Sequence, residues 1–218
     1  MKKILGTIML AVLAALTMVG CANVDAQINI KNADSASAQV KVTADKSLVD
    51  GASFDELTTP SGVPLSQILT VEDDEWSIAK VDTPDEVGLE FSTIGTLNLV
   101  QLQDALSNLL GVDAQLVSEG EDIKFSMPGI ADALGGGVLS SGHLSVTYSG
   151  HVVSHSATGV QEHNTVTFDL LQPTAEYQVT GTASHALFYS AVFGGALLVL
   201  TFIFALAFAP KGVKEHTH

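Results

Sequence analysis

The chain has 218 residues, a formal net charge of −15 and a single cysteine. A protein this acidic repels phosphate groups at long range, which argues against nucleic acid and other polyanions as partners. One cysteine also excludes an internal disulfide, so a folded domain must be held together by packing.

The N-terminal segment has the order of a secretory signal. Lys2 and Lys3 precede an apolar run, Ile4–Val19, and small residues follow directly before Cys21. A basic start, an apolar centre and small residues at the cleavage site are typical of a signal that is removed on maturation. Met18–Cys21 resembles a lipobox, in which the thiol carries diacylglycerol. We predict a lipoprotein signal peptide at residues 1–20 and lipidation at Cys21; the alternative is a plain signal peptide with an incidental cysteine.

The C-terminal segment is apolar enough to predict a second membrane attachment. Ala186–Phe208 is a run of 23 residues without a charge, and Lys211 and Lys214 follow it. At ~1.5 Å per residue such a helix would cross a hydrocarbon core of ~30 Å. We therefore predict a transmembrane helix at 185–209 and, by the positive-inside rule, a cytoplasmic tail at 210–218.

The segment between these ends, residues 21–184, has the size of one extracellular domain. It holds five lysines, no arginine and 23 of the 24 acidic residues, a net charge near −18. Such a charge argues that any lipid binding would depend on apolar burial and not on attraction to headgroups.

The domain opens with two alternating segments. Apolar residues alternate with polar ones from Val24 to Ile30 and again from Ala38 to Ala44, with turn residues at Asn32–Ser35. This pattern predicts a β-hairpin with one solvated face. The first strand would begin three residues after Cys21, which keeps the sheet close to the membrane.

The next stretch loses the period of two. Ser53 and Glu56 have the spacing of a capping box, and prolines follow, so we expect short helical segments at Phe54–Thr58 and Leu65–Leu69. The acidic run Glu72–Glu75 lacks the ligand spacing and glycine of a calcium loop, which favours a solvated turn.

Asn98–Leu110 has the clearest helical pattern in the domain. Asn98 can cap the helix and Gly111 can end it. Leucines recur on one face at helical spacing: Leu99, Leu102, Leu106 and Leu109. Such a face most often packs on its own sheet, and the functional alternative is an apolar wall that binds a ligand.

The remaining segments are predicted strands. They are Trp76–Val81, Val87–Phe91, Ala114–Ser118, Ile123–Met127, Leu144–Tyr148, Val152–Ser156 (joined to the previous one at Ser149–Gly150), Val166–Leu170 and Tyr177–Thr182. The predicted fold class is α+β: an antiparallel β-sheet ectodomain with one or two packed helices, followed by a single C-terminal transmembrane helix.

No segment carries a recognisable catalytic motif. His143, His151, His155 and His163 lie close in sequence, but neither HExxH nor GxSxG is present and the only cysteine is assigned to lipid. We therefore expect surface histidines, no metal site, no cofactor and no enzymatic activity.

The order of these features resembles a known family. The lipobox is followed by the hairpin, a Gly88–Phe91 strand, the Asn98–Leu110 helix and the segments Phe125–Gly129 and Asn164–Asp169, before a final apolar run. This order is similar to the LppM-type lipoproteins, also called the DUF3153 group, of actinobacteria and other Gram-positive bacteria. The resemblance implies a doubly anchored α+β domain that binds an envelope lipid or glycolipid and has no catalytic residues.

Two functional interpretations follow. The first is a non-enzymatic domain on the extracellular side of the cell membrane, which binds an amphiphilic envelope molecule against Leu99, Leu102, Leu106 and Leu109. The second is a structural or interaction protein of the cell envelope without a small-molecule ligand. An apolar cavity along the leucine face would favour the first interpretation, and a filled core would favour the second.

Overall fold

The computed structural model describes residues 22–58, 64–70, 73–130 and 139–183, and most of them lie in strands. The strands are β1 (Ala22–Asn32), β2 (Ser35–Asp45), β3 (Trp76–Asp82), β4 (Glu86–Thr93), β5 (Gln115–Glu119), β6 (Asp122–Pro128), β7 (Leu139–Tyr148), β8 (Val152–His155), β9 (Gly159–Glu162), β10 (Thr165–Asp169) and β11 (Glu176–Thr182). One α-helix, α1 (Leu99–Leu110), and two 3-10 helices, Phe54–Glu56 and Leu65–Thr70, complete the elements of these described residues.

The strands form two sheets. The larger has seven strands in the order β3-β4-β2-β1-β7-β10-β9, and the smaller has four in the order β5-β6-β11-β8. Strand β1 pairs antiparallel with β2 but parallel with β7. The predicted α+β class with one antiparallel sheet is therefore wrong, because the described domain is mostly β and has two sheets. Alternation along a strand identifies its buried face but not its neighbour, so it could not show this pairing.

The predicted C-terminal transmembrane helix is also not supported. Among the residues that the structure describes, no helix has the length and apolar character needed to cross a membrane. The segment 185–209 itself lies outside the described residues, as do the signal segment 1–20, Cys21 and the tail 210–218.

The core lies between the two sheets and under α1. The predicted hairpin is confirmed, and its inward residues from Val24 to Ile30 are almost completely buried. Phe168 of the larger sheet contacts Tyr177 of the smaller one, with ring centroids 5.3 Å apart. The Tyr148 hydroxyl donates to the Val179 carbonyl at 3.1 Å. These contacts join the sheets through aromatic side chains whose polar atoms remain paired.

The connection after β7 differs from its prediction. β7 and β8 are joined at Ser149–Gly150, as predicted, but they belong to different sheets and do not pair as a hairpin. The change of sheet brings Gly181 of β11 against the Tyr148 ring, where a Cβ atom would lie 2.4 Å from the ring. The short strand β9 was not predicted, because only Val160 in it is apolar and that residue is 65% exposed.

The two helical segments before β3 lie where they were expected, as 3-10 helices. The Glu56 carboxylate accepts hydrogen bonds from the Ser53 amide at 2.7 Å and from its hydroxyl at 2.8 Å. Lys80 of β3 lies 5.1 Å from the centre of the Phe54 ring. The first two bonds close the Phe54–Glu56 turn, and the Lys80 contact places it beside β3 at the edge of the larger sheet.

The first described strand begins at one end of the larger sheet, and the last described strand ends near the other end. Ala22 is paired with Ala44 and Leu139 at one end of β1. Thr182 accepts a hydrogen bond from the Gly150 amide, just beyond the other end of β1. Roughly 26 Å of strand separates these positions, at about 3.3 Å per residue. The domain therefore does not bring its two ends together at one edge.

Candidate functional site

The leucine face of α1 was the predicted ligand wall, and it is packed into the core. The helix is capped as expected: Asn98 Oδ1 accepts from the Gln101 amide at 2.9 Å, and Gly111 adopts a left-handed φ of 69°. The exposed fractions of the four leucines are small: Leu99 5%, Leu102 0%, Leu106 1% and Leu109 1%. Three of the four thus have almost no surface left for a ligand while the helix stays in place.

A groove opens at the N-terminal end of α1. Its volume is about 370 Å³, and Leu99 and Leu116 form its apolar floor. Val100, which is 67% exposed, lies at its rim beside Asp34 of the β1–β2 turn. The groove therefore reaches the edge of the leucine face, and Leu99 is the predicted wall residue that borders it.

The four clustered histidines do not meet. His143 lies on β7 and points to the outer face of the larger sheet, whereas His163 occupies the β9–β10 turn with a φ of 56°. His151 shares a hydrogen bond with the Thr182 hydroxyl at 3.0 Å, and the His155 ring bonds to the Ser156 carbonyl. Within the described ranges, no three histidine, aspartate or glutamate residues are grouped as metal ligands would be.

A second cavity, which the sequence did not predict, lies on the outer face of the larger sheet. We call it the outer-face pocket; its volume is about 180 Å³. Most of its lining residues are polar and come from three neighbouring strands, β1, β2 and β7, and the start of β4: Asn23, Asp25, Lys41, Thr43, Glu86 and His143. The alternation of β1 and β2 did place Asp25 and Lys41 on a solvated face, but the parallel pairing with β7 was needed to bring His143 beside them.

Hydrogen bonds shape this outer-face pocket. Lys41 Nζ donates to Glu86 Oε2 at 2.5 Å, and this ion pair offsets the positive charge of the lysine. Ser141 donates to the amide oxygen of Asn23 at 2.8 Å. Asp25 faces Lys41 on one side and His143 on the other, in register across the strands. The result is a small concave surface lined by both hydrogen-bond donors and hydrogen-bond acceptors.

A separate ion-pair network lies at the edge of the larger sheet. Asp82 contacts Lys46 at 2.6 Å and Lys80 at 3.0 Å. These hydrogen bonds, first that from Lys46 and then that from Lys80, lower the pKa of Asp82 to about 2. The Asp82 carboxylate in turn raises the pKa of Lys80. Charge-assisted contacts of this kind join the end of β3 to the turn after β2.

Comparison with known proteins identifies a fold and nothing finer. No family model and no curated protein matches the chain. Among solved structures, the chain is similar to the folded domain of Mycobacterium tuberculosis LppM, determined by NMR, with a TM-score of 0.50 and 17% sequence identity. The match covers 76% of this chain and 91% of that domain. The chain therefore has an LppM-like fold.

Proposed function

We propose that this protein is a non-enzymatic lipoprotein of the cell envelope, anchored through Cys21, whose β-domain binds an envelope lipid or glycolipid at α1. The lipobox-like Met18–Cys21 segment and the LppM-like fold both support an envelope role. The observation that carries the binding proposal is the groove at Leu99 and Leu116, where apolar core meets the surface. Burial of an acyl chain there would gain about 25 cal/mol per Å² of apolar surface.

Deeper binding would require α1 to move away from the core. Such a movement must break the two backbone hydrogen bonds between Leu97 and Ala36 and the one that the Leu99 amide donates to the Ala33 carbonyl. Displacement of α1 would expose Leu102, Leu106 and Leu109 to the ligand.

The second candidate is an interaction protein of the envelope without a ligand. The observation that favours it is the burial of the leucine face, since these side chains already have partners in the core. In this case the net negative surface of the domain would contact a basic partner.

A photoactivatable phospholipid separates these candidates. The full chain is placed in lipid vesicles that contain the probe, irradiated, and its crosslinked peptides are mapped by mass spectrometry at low and high salt. We expect crosslinks at residues 99–100 and 116 that persist at high salt, because apolar burial is not screened. Leu99→Gln should reduce them several-fold.

Val160→Gln serves as the matched control, since Val160 is exposed on a strand away from the groove. Circular dichroism must show that both variants keep the β-sheet spectrum. Crosslinks distributed evenly over the surface, or equal in the two variants, would contradict lipid binding at α1 and favour the interaction protein.

A further inference from the structure

Side chains of α1 bond to the open edge of β5. This strand ends the smaller sheet, and its other side pairs with β6. Gln103 Oε1 accepts a hydrogen bond from the Leu116 amide at 3.0 Å. The Ser107 hydroxyl accepts from the Ala114 amide at 3.1 Å and faces the Ala114 carbonyl at 3.4 Å. A further strand of the sheet would make bonds of the same kind with this edge.

The spacing along the helix matches the spacing along the strand. Gln103 and Ser107 are four residues apart, which puts them on one face of α1 at a separation of about 6 Å along its axis. Ala114 and Leu116 are two residues apart, or about 7 Å along an extended chain, and their amides point to the same side. Two acceptors on one helical face therefore take the place of a neighbouring strand.

This coverage stops before the N-terminal end of α1. One step further, the same spacing leads to Leu99 on the helix and to Ser118 on the strand, and both line the groove described above. A leucine side chain has no acceptor, and no residue in the described ranges accepts from the Ser118 amide. Of the three amides along this edge, α1 thus covers two and leaves the third exposed to solvent.

We propose that α1 is an autoinhibitory cover, which prevents β5 from pairing with β5 of a second copy of this chain. A strand edge with free amides and carbonyls pairs readily with another edge. The edge of β5 is complementary to itself, because two copies related by a two-fold axis would present the same groups to each other in antiparallel order. Val117, which is 43% exposed on this strand, would be partly covered by the partner copy.

Charges at the two ends of β5 oppose the same pairing. Asp113 directly before the strand and Glu119 at its end are both exposed. In an antiparallel pair of two copies these carboxylates come close to each other, and like charges across strands are destabilising. Salt screens this repulsion, so pairing between copies becomes stronger as salt rises. A basic partner at the same edge would show the opposite salt dependence.

The acceptors of α1 determine how often the edge opens. Ala114 and Leu116 are buried beneath the helix, so an amide that loses its acceptor there also lacks water. Removal of Gln103 Oε1 or the Ser107 hydroxyl therefore destabilises the covered state and favours the state in which α1 has left. In wild type the bonds of Leu97 and Leu99 to the β1–β2 hairpin add to the cover.

Amide hydrogen exchange of the full chain in detergent micelles tests the cover. In wild type we expect the Leu116 amide to exchange at least tenfold more slowly than the Ser118 amide. Gln103→Leu should accelerate exchange at Leu116 at least tenfold, whereas Gln103→Glu, which keeps an acceptor oxygen, should not. Leu116 is the cleaner reporter, because the Ala114 amide also lies 3.0 Å from the Val112 carbonyl. Equal exchange at Leu116 and Ser118 in wild type would overturn the proposal whether or not the variants fold.

Sedimentation velocity of the full chain at low and high salt tests the partner. We expect a monomeric wild type at both salt concentrations, and a dimer of Gln103→Leu/Ser107→Ala whose fraction rises with salt. Asp104→Leu is the control, since it adds the same apolar side chain to an exposed position of α1 and keeps both acceptors. Circular dichroism must show the wild-type spectrum for each variant compared. A double variant that stays monomeric at high salt, or a control that dimerises equally, would overturn the pairing of two copies through β5.

Discussion

At the scale of single residues, most of the few lysines in the domain form ion pairs with acidic residues. Of the five lysines among the described residues, Lys41, Lys46 and Lys80 form ion pairs, and all three contact acids of neighbouring strands or turns. Asp82 receives two of them. Each pair places a cation beside an acid in a domain with a large excess of acidic residues.

The Asp82 network predicts a defined acid response. Its folded-state pKa of about 2 lies below the unfolded value of about 3.9. The stabilisation is therefore fully present above pH ~4 and is lost as the pH falls toward ~2. Asp82→Asn should lower the melting temperature above pH 4 and flatten its fall between pH ~4 and ~2. Thermal melts of full-chain variants, with the exposed Asp113→Asn as control, check this; parallel curves for Asp82→Asn and wild type would rule it out.

At the scale of elements, the capping of α1 determines how readily the helix leaves the core. Asn98 and Gln101 cap each other through reciprocal bonds of 2.9 and 3.1 Å. Asn98→Ala should cost about 1 kcal/mol of helix stability, and Asn98→Ser, which keeps a capping oxygen, much less. Amide hydrogen exchange within residues 99–110 should be faster in Asn98→Ala than in wild type. Unchanged exchange there would mean that packing alone holds α1, which would weaken the case for a movable helix.

The secondary-structure elements were easier to predict than the pairing between strands. The β1–β2 hairpin and α1 could be predicted because their patterns are local, with alternation in one case and leucine spacing with two caps in the other. The pairing of β1 with β7 joins residues more than a hundred positions apart, and no local pattern encodes it. The outer-face pocket depends on that pairing, since His143 reaches Asp25 only across it. For the same reason Thr43 looked like an ordinary outward residue in the sequence, and its burial comes from the strands beside it.

At the scale of the whole molecule, the start of β1 sets how the domain would stand on a membrane. Ala22 is completely buried and already paired on both sides, so the sheet begins directly after Cys21 with no flexible tether. If Cys21 carries lipid, one end of the larger sheet must lie at the bilayer surface. The outer-face pocket is near that end, while the groove beside Ala33 and Leu99 is at the other.

Spin labels at the two ends of the hairpin test this orientation. Leu48→Cys, in the exposed turn after β2, lies at the Ala22 end, and Ala33→Cys lies in the β1–β2 turn, roughly 30 Å away at about 3.3 Å per residue. If Cys21 is lipidated, its thiol is consumed and each introduced cysteine can be labelled alone in vesicles. We expect a lipid-soluble relaxation agent to reach the label at 48 and not the label at 33. A ten-residue Gly-Ser insertion between Cys21 and Ala22 should abolish the difference, since a flexible tether lets the domain tumble. Equal accessibility of both labels without the insertion, or acylation that persists in Cys21→Ser, would contradict anchoring through this residue.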